Sequence, residues 1–315
     1  MKKFAFVFPG QGSQSVGMLD AWGDHPAVLE VLHEASDALS QDVGKLIKEG
    51  SKEELALTTN TQPVMLVAGV AAYRAWIYDG GTAPLMVAGH SLGEYSALVA
   101  AGSLTLTQAV PLVRLRAQAM QEAVPVGVGA MAAILGMESS KVTTICNEVT
   151  ASFGSGSAET AEAVNFNDPL QTVIAGSKAA VDKACEALKA AGAKRALLLQ
   201  VSAPFHSSLM RPAAERLKKA LVNVQLVSPQ IQLLNNVDVA IESDVLRIKD
   251  ALYRQAFGAV RWVESVLAMQ ARGIDAVIEC GPGKVLSGMN KRISPDLISG
   301  AIFDPANLQE VKNIL

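Results

Sequence analysis

The sequence predicts an α/β protein: a large domain built on a parallel sheet, interrupted by a small α+β domain. Three observations carry this expectation. Apolar strand-like runs alternate with helical patterns from Lys3 to Ala123, the mark of a parallel sheet covered on both faces. The pentapeptide Gly89-His90-Ser91-Leu92-Gly93 joins one such run to a helix. Near Pro125 the texture changes to the order β-α-β-β-α-β, and the α/β texture resumes after Pro204.

Each element has its reason. Lys3–Phe8 is an unbroken apolar run that Pro9-Gly10 stops, so it reads as a buried strand. Met1–Phe8 has a signal-peptide flavour, but the run halts too soon at Pro9. Ala27–Leu39 and Pro63–Tyr78 carry helical patterns. Leu85–Ala88 is the strand before the pentapeptide, and Leu92–Ala101 the helix after it. A long helix follows from about Thr107 to Ala123, with Thr105 or Thr107 as its N-cap.

In the small domain, Val128–Leu135 is strand-like and Ser139–Thr150 helical. Ala163–Phe166 and Gln171–Ala175 are short strands around an Asn-Asp-Pro turn. Ser177–Ala191 is a helix stopped by Gly192, and Arg195–Val201 is the last strand. That order is the ferredoxin-like, or split βαβ, pattern. The expected boundaries are 127–204 for this domain, with 1–126 and 205–315 forming the large one. Beyond Pro204, Ser208–Leu221 and Trp262–Arg272 read as helices, and Asp275–Glu279 as a strand closed by Gly281-Pro282-Gly283.

At 315 residues, 50% hydrophobic and 18% charged, the chain can bury a sizeable core. A net charge of −3 argues against nucleic acid as the main ligand. Cys146, Cys185 and Cys280 form no CxxC pair, so neither a disulfide framework nor a zinc site is expected. Val64–Ala72, the most apolar stretch, is too short to span a membrane. The expectation is a cytoplasmic monomer that binds no metal and no cofactor.

The pentapeptide matters chemically. A strand-to-helix turn this sharp leaves no room for a Cβ at either glycine, and it lifts the serine hydroxyl above the sheet. The first helical N–H groups then face any oxyanion formed there. With this elbow the large domain reads as α/β-hydrolase-like. Serine needs a base, and of the four histidines His206 is the best placed, where the last small-domain strand returns to the large domain. His25 and His33 read as surface or packing residues, and His90 as a packed elbow residue. No convincing acid orients His206; Asp275 and Glu279 qualify by chain position only, and a backbone carbonyl is the alternative. The loop Phe8-Pro9-Gly10-Gln11-Gly12-Ser13-Gln14 fails as a dinucleotide fingerprint, because Ser15 stands where the third glycine belongs. It suits an oxyanion hole in which the Gln11 N–H faces a substrate oxygen.

These motifs, with Gln121–Met131, Val164-Asn165-Phe166-Asn167, Pro204-Phe205-His206-Ser207 and Gly281–Leu286, resemble the malonyl-CoA:acyl carrier protein transacylase family, in family order along nearly the whole chain. The resemblance implies a stand-alone enzyme of dissociated fatty-acid synthesis. It implies Ser91 as nucleophile, His206 as general base and acid, and the N–H groups of Gln11 and Leu92 as oxyanion hole. It further implies that Arg116 holds the malonyl carboxylate and that the Gln255 carbonyl orients His206. Malonyl-CoA and the phosphopantetheine thiol of acyl carrier protein are the implied substrates. Asp168-Pro169 departs from the family pattern, which bears on acyl selectivity.

Arg116 also has an independent argument: a guanidinium grips a carboxylate with two charge-assisted bonds. Its neighbour Arg114 belongs to a different face of the helix. Carrier proteins of this type are acidic, so Lys194, Arg195, Lys284, Lys291 and Arg292 are docking candidates. Asn165 and Asn167 either line the pocket or serve the turn. The rival readings are a serine hydrolase or thioesterase, a silent carrier-binding subunit, and the same transfer of another acyl group.

Overall fold

The computed structural model describes residues 2–201 and 203–315. Met1, and Ser202 of the segment leading to His206, lie outside the described residues. The first stretch contains β1 (Phe4–Phe8), α1 (Pro26–Leu39), α2 (Val43–Glu49), α3 (Lys52–Ala56), α4 (Thr58–Tyr78), β2 (Met86–Gly89), α5 (Gly93–Ala100) and α6 (Leu106–Glu122). Then come β3 (Gly129–Leu135), α7 (Ser139–Ala151), β4 (Ala161–Asp168), β5 (Gln171–Ser177), α8 (Lys178–Ala190) and β6 (Arg195–Leu198). The rest is α9 (Arg211–Asn223), β7 (Gln232–Leu234), α10 (Val245–Gln255), α11 (Trp262–Ala271), β8 (Ala276–Cys280), α12 (Val285–Ile293), β9 (Ile298–Ile302) and α13 (Pro305–Ile314).

The class is α/β with a parallel sheet. Five strands in the order β7-β2-β1-β8-β9 all run parallel. β1 lies at the centre and every residue in it is buried, which is why the strand reads as a continuous apolar run. Its even and odd positions still differ. Phe4, Phe6 and Phe8 face the helical layer of α1 and α4, where Phe6 meets Trp76 edge-on at 5.5 Å. Ala5 and Val7 face Trp262, Val266 and Met269 of α11.

A second, antiparallel sheet has the order β4-β5-β3-β6. It shares a separate core with α7 and α8, including Ile134, Val142, Val181 and Leu188. β4 joins the two sheets' territories: the Val260 N–H donates to Val164 O at 2.8 Å, and the Phe166 N–H donates to Val260 O at 3.0 Å. β4 runs longer than the Ala163–Phe166 expected because its ends pair with β5, Ala161 opposite Gly176, Glu162 opposite Ala175 and Asp168 opposite Gln171. β6 ends early, at Leu198 rather than Val201, because the chain turns just beyond it, where the Val201 N–H donates to Leu199 O at 3.0 Å.

α4 begins at Thr58, five residues before Pro63. Its first turn is poor in helix formers, yet Thr58, Thr61 and Gln62 are buried, so tertiary packing overrides propensity. Thr105 is the N-cap of α6, accepting from the Gln108 N–H. All three cysteines are buried and free. Among the described residues no helix is long and apolar enough to cross a membrane.

Candidate active site

The carboxyl ends of β1, β2 and β7 meet above the sheet, the place where open α/β sheets bind ligands. The elbow after β2 has the expected steric reason. A Cβ on Gly89 would sit 1.9 Å from the Gly93 carbonyl carbon, and one on Gly93 would sit 2.0 Å from Phe8 O. The loop after β1 presses on the elbow as closely, since a Cβ on Gly10 would come 2.7 Å from His90 O. Ser91 takes φ 52° and His206 φ 66°, both left-handed. A non-glycine residue pays strain there and stays only when its surroundings fix it.

Ser91 Oγ lies 2.6 Å from His206 Nε2. The His206 Nδ1–H faces two carbonyls, Gln255 O at 2.9 Å and Gly258 O at 3.2 Å. Both partners are acceptors, so the proton belongs on Nδ1 and Nε2 is free to accept from serine. Burial, and next the Arg116 charge, hold the His206 pKa down at about 3, so the imidazole is neutral at pH 7.

Neither acid named from the sequence orients this ring. Asp275 precedes β8 at the opposite end of the sheet, where its carboxylate accepts from the Lys3 N–H. Glu279 accepts from the Ser287 N–H at 2.8 Å in the first turn of α12. The backbone carbonyls of Gln255 and Gly258 do the work instead.

Arg116 is 1% exposed. Its Nη1 donates to Gln62 Oε1 at 2.7 Å, and its Nη2 to Gln255 Oε1 at 3.0 Å and Ser91 Oγ at 3.2 Å. The guanidinium Nε has no partner among the described residues. Arg114 turns away, donating to Gln41 Oε1. Burial lowers the Arg116 pKa, opposed by Tyr95 and Glu94.

A cleft of about 130 Å³ is lined by Gln11, His90, Ser91, Leu92, Arg116 and His206, with Gln62, Met120, Met131, Asn165, Leu199, Val201 and Phe205 around them. The N–H groups of Gln11 and Leu92 have no hydrogen-bond acceptor among the described residues. Asn165 lines the cleft, whereas Asn167 Oδ1 pairs with His90 Nε2 at 2.9 Å. His25 is paired with Asp79.

The docking candidates do not form one group. Lys194 and Arg195 stand at the start of β6, four or more residues (about 13 Å of strand) from cleft-lining Leu199. Lys284 follows the Gly283 turn, which packs on Ser13 of the β1 loop, and its Nζ lies over the Phe303 ring. Lys291 and Arg292 lie in the last turn of α12, with Arg292 Nε donating to Asp168 Oδ2 at 2.7 Å.

Sequence reasoning missed Gln62, Glu94 and Asn236. Gln62 and Glu94 are polar residues inside otherwise apolar buried helices, and that contrast was their signal. Asn236 follows β7, a strand of three residues too short to stand out.

The model of the acyl transferase domain matches residues 5–292. A malonyl CoA-acyl carrier protein transacylase of Escherichia coli is 50% identical over 307 residues, covering 97% of each chain. The crystal structure of an acyl-carrier-protein S-malonyltransferase from Burkholderia pseudomallei superimposes with a TM-score of 0.96 at 59% identity, covering 99% of both chains. A malonyl-transacylase solved in complex with a type II PKS acyl-carrier protein gives a TM-score of 0.95 at 46% identity, over 99% of this chain and 100% of that one. With an elbow serine, a neutral histidine and a buried arginine converging on one oxygen, and with these matches along its length, the chain belongs to the acyl transferase domain family, among the malonyl CoA-acyl carrier protein transacylases.

Proposed function

We propose that the chain moves a malonyl group from malonyl-CoA to the phosphopantetheine thiol of acyl carrier protein, through a malonyl ester on Ser91. The observation that carries this is the convergence on Ser91 Oγ of His206 Nε2 at 2.6 Å and Arg116 Nη2 at 3.2 Å. A base and a carboxylate-binding cation thus share one nucleophile.

The Ser91 oxygen attacks the thioester carbon while its proton passes to His206 Nε2. The oxyanion sits against the Gln11 and Leu92 N–H groups. As the C–S bond breaks, His206 returns the proton to the CoA thiolate. In the second half His206 takes the proton of the phosphopantetheine thiol. The thiolate attacks the ester carbon, and Ser91 leaves with the proton. Arg116 holds the malonyl carboxylate throughout, and in the small cleft the bound acyl chain leaves little space for water.

The chain is thus an acyltransferase, and its product supplies fatty-acid elongation. No bound metal or cofactor takes part in this scheme. A monomeric, cytoplasmic enzyme fits it. We read residues 127–204 as a ferredoxin-like domain inserted between 1–126 and 205–315; the strand order β4-β5-β3-β6 supports that reading. Of the docking candidates Lys194, Arg195, Lys284, Lys291 and Arg292, Lys284 lies over the Phe303 ring and Arg292 is paired with Asp168, whereas Lys291 is exposed with no ion pair among the described residues.

Intact mass after mixing with malonyl-CoA, then with holo acyl carrier protein, tests the proposal. The expected result is a malonyl adduct that is absent in Ser91→Ala and passes to the carrier faster than to water. Transfer mainly to water would make the protein a hydrolase. No adduct would make it a silent subunit or point to another acyl donor.

A further inference from the structure

Ser91 is held from both sides by side chains that come from other parts of the fold. Its N–H donates to Asn236 Oδ1 at 2.7 Å, and its carbonyl accepts from Gln255 Nε2 at 2.9 Å. Asn236 Nδ2 also donates to Gly89 O at 2.5 Å. One amide therefore bridges the peptide groups on either side of His90, at the tip of the elbow. Only one orientation of this amide satisfies both bonds, because a carbonyl can only accept and an N–H can only donate.

Asn236 is itself anchored. Its own N–H donates to Glu94 Oε2 at 3.0 Å, and the same oxygen accepts from Gln255 Nε2 at 3.0 Å. Glu94 lies one turn beyond Ser91 in α5, which closes the ring of contacts. Asn236 and Gln255 are 0% exposed and Glu94 is 1% exposed. Water therefore does not compete for these bonds, and each lost partner would leave a buried polar group unsatisfied.

We propose that Asn236 is a positioning residue for the nucleophile: it holds the left-handed turn at Ser91 and so fixes the hydroxyl against His206. This rests on the transfer reading only for the choice of acyl donor. A second consequence concerns the oxyanion hole. The Ser91 N–H is occupied by Asn236, so the hole draws on the Gln11 and Leu92 N–H groups alone. Other residues fit this position poorly. Leucine makes neither bond, aspartate accepts but does not donate, and glutamine is one methylene too long for a fully buried site.

The test compares Asn236→Leu and Asn236→Asp with wild type in two assays: malonyl transfer at varied malonyl-CoA, and the rate of Ser91 labelling by a fluorophosphonate. In Asn236→Leu we expect the acylation rate at saturation and the labelling rate to fall by about 100-fold, the cost of misplacing a reacting group by roughly an ångström. The KM for malonyl-CoA should change less than about threefold, since Arg116 and the cleft are untouched. Asn236→Asp, which keeps the bond to the Ser91 N–H, should fall between the two. A folded Asn236→Leu protein that labels within about threefold of wild type overturns the proposal, as does a loss confined to KM. If Asn236→Leu does not fold, Asn236→Ala, which also loses both bonds, replaces it under the same criterion: labelling within about threefold of wild type overturns the proposal. Wild type that takes up no malonyl group would end the transfer reading, while the labelling rates would still judge Asn236.

Discussion

Arg116 Nη2 stands 3.2 Å from the oxygen of Ser91. The cation that would bind the far end of a malonyl group therefore also touches the atom to which that group becomes attached. A malonyl ester is short, so under the proposed transfer its carboxylate would stay within reach of the same guanidinium. Before acylation the group is held ready by Gln62 and Gln255, and Tyr95 lies beneath it, with its ring centroid 5.5 Å from Arg116 Cζ.

Replacing Arg116 by alanine should cost malonyl transfer about 100-fold or more, since two charge-assisted hydrogen bonds are worth roughly 1.5–3 kcal/mol each. Acetyl-CoA has no carboxylate to lose and should suffer less. The measurement is the ratio of malonyl to acetyl adducts on Ser91 in an equimolar mixture of the two thioesters. An unchanged preference for malonyl would mean that another residue reads the carboxylate.

The depressed His206 pKa has a sign that kinetics can check. The base form persists down to about pH 3, so acylation should not lose its base between pH 7.5 and 5. An ordinary histidine near 6.5 would be about nine-tenths protonated at pH 5.5, and the rate would fall about tenfold. Burial raises Glu94 to about 7, opposed by its bonds from Gln255 and Asn236 and by Arg116, and raises Glu279 to about 7 as well, so a step near neutrality belongs to one of these two carboxyls. The part due to Glu94 should vanish in Glu94→Gln. A fall centred on 6.5 that survives replacement of both carboxyls by amides would contradict the assignment. Stability follows from the same shift. Between pH 6.5 and 3 the unfolded chain holds a His206 proton that the folded chain does not. The contribution of this residue to stability therefore falls as pH falls, by at most about 1.4 kcal/mol per unit. Urea unfolding of wild type and His206→Ala at pH 7 and 5 would expose the difference.

Much of this site could be read from the residues alone, because local geometry dictates them. Gly89 and Gly93 must lack side chains where the elbow crosses β1 and its own helix, and that requirement is visible in five consecutive letters. Arg116 needs the family resemblance, which supplies a carboxylate for it to hold; helical spacing alone only sets it on a different face from Arg114, and without the resemblance two solvated arginines are the reading. The orienter of His206 could not be deduced from side chains, since the acceptor is a backbone carbonyl that any residue carries. Asn236 and Gln62 escaped for a related reason. Each acts through contacts made more than fifty residues away, to Ser91 and Gly89 in one case and to Arg116 in the other. Nothing in their immediate neighbours announces that partner. β4 shows the same limit in the fold, since its ends are set by pairing with β5 and not by its own alternation.

The last turn of α12 separates two effects that its neighbouring charges would otherwise blur. Arg292 is tied to Asp168, whose side chain is 6% exposed, whereas Lys291 is exposed with no ion pair among the described residues. Lys291→Glu should therefore act on encounter with an acidic carrier protein, raising its KM by roughly three- to tenfold at low salt and less at high salt. The KM for malonyl-CoA should not move. Arg292→Glu should do this and more, because it sets a second carboxylate against a nearly buried Asp168 and loosens the contact between α12 and β4. Its melting temperature should drop, while that of Lys291→Glu should hold. Carrier kinetics that are unchanged in Lys291→Glu, at an ionic strength where wild type is salt-sensitive, would place the docking face elsewhere and leave Arg292 as a purely structural tie.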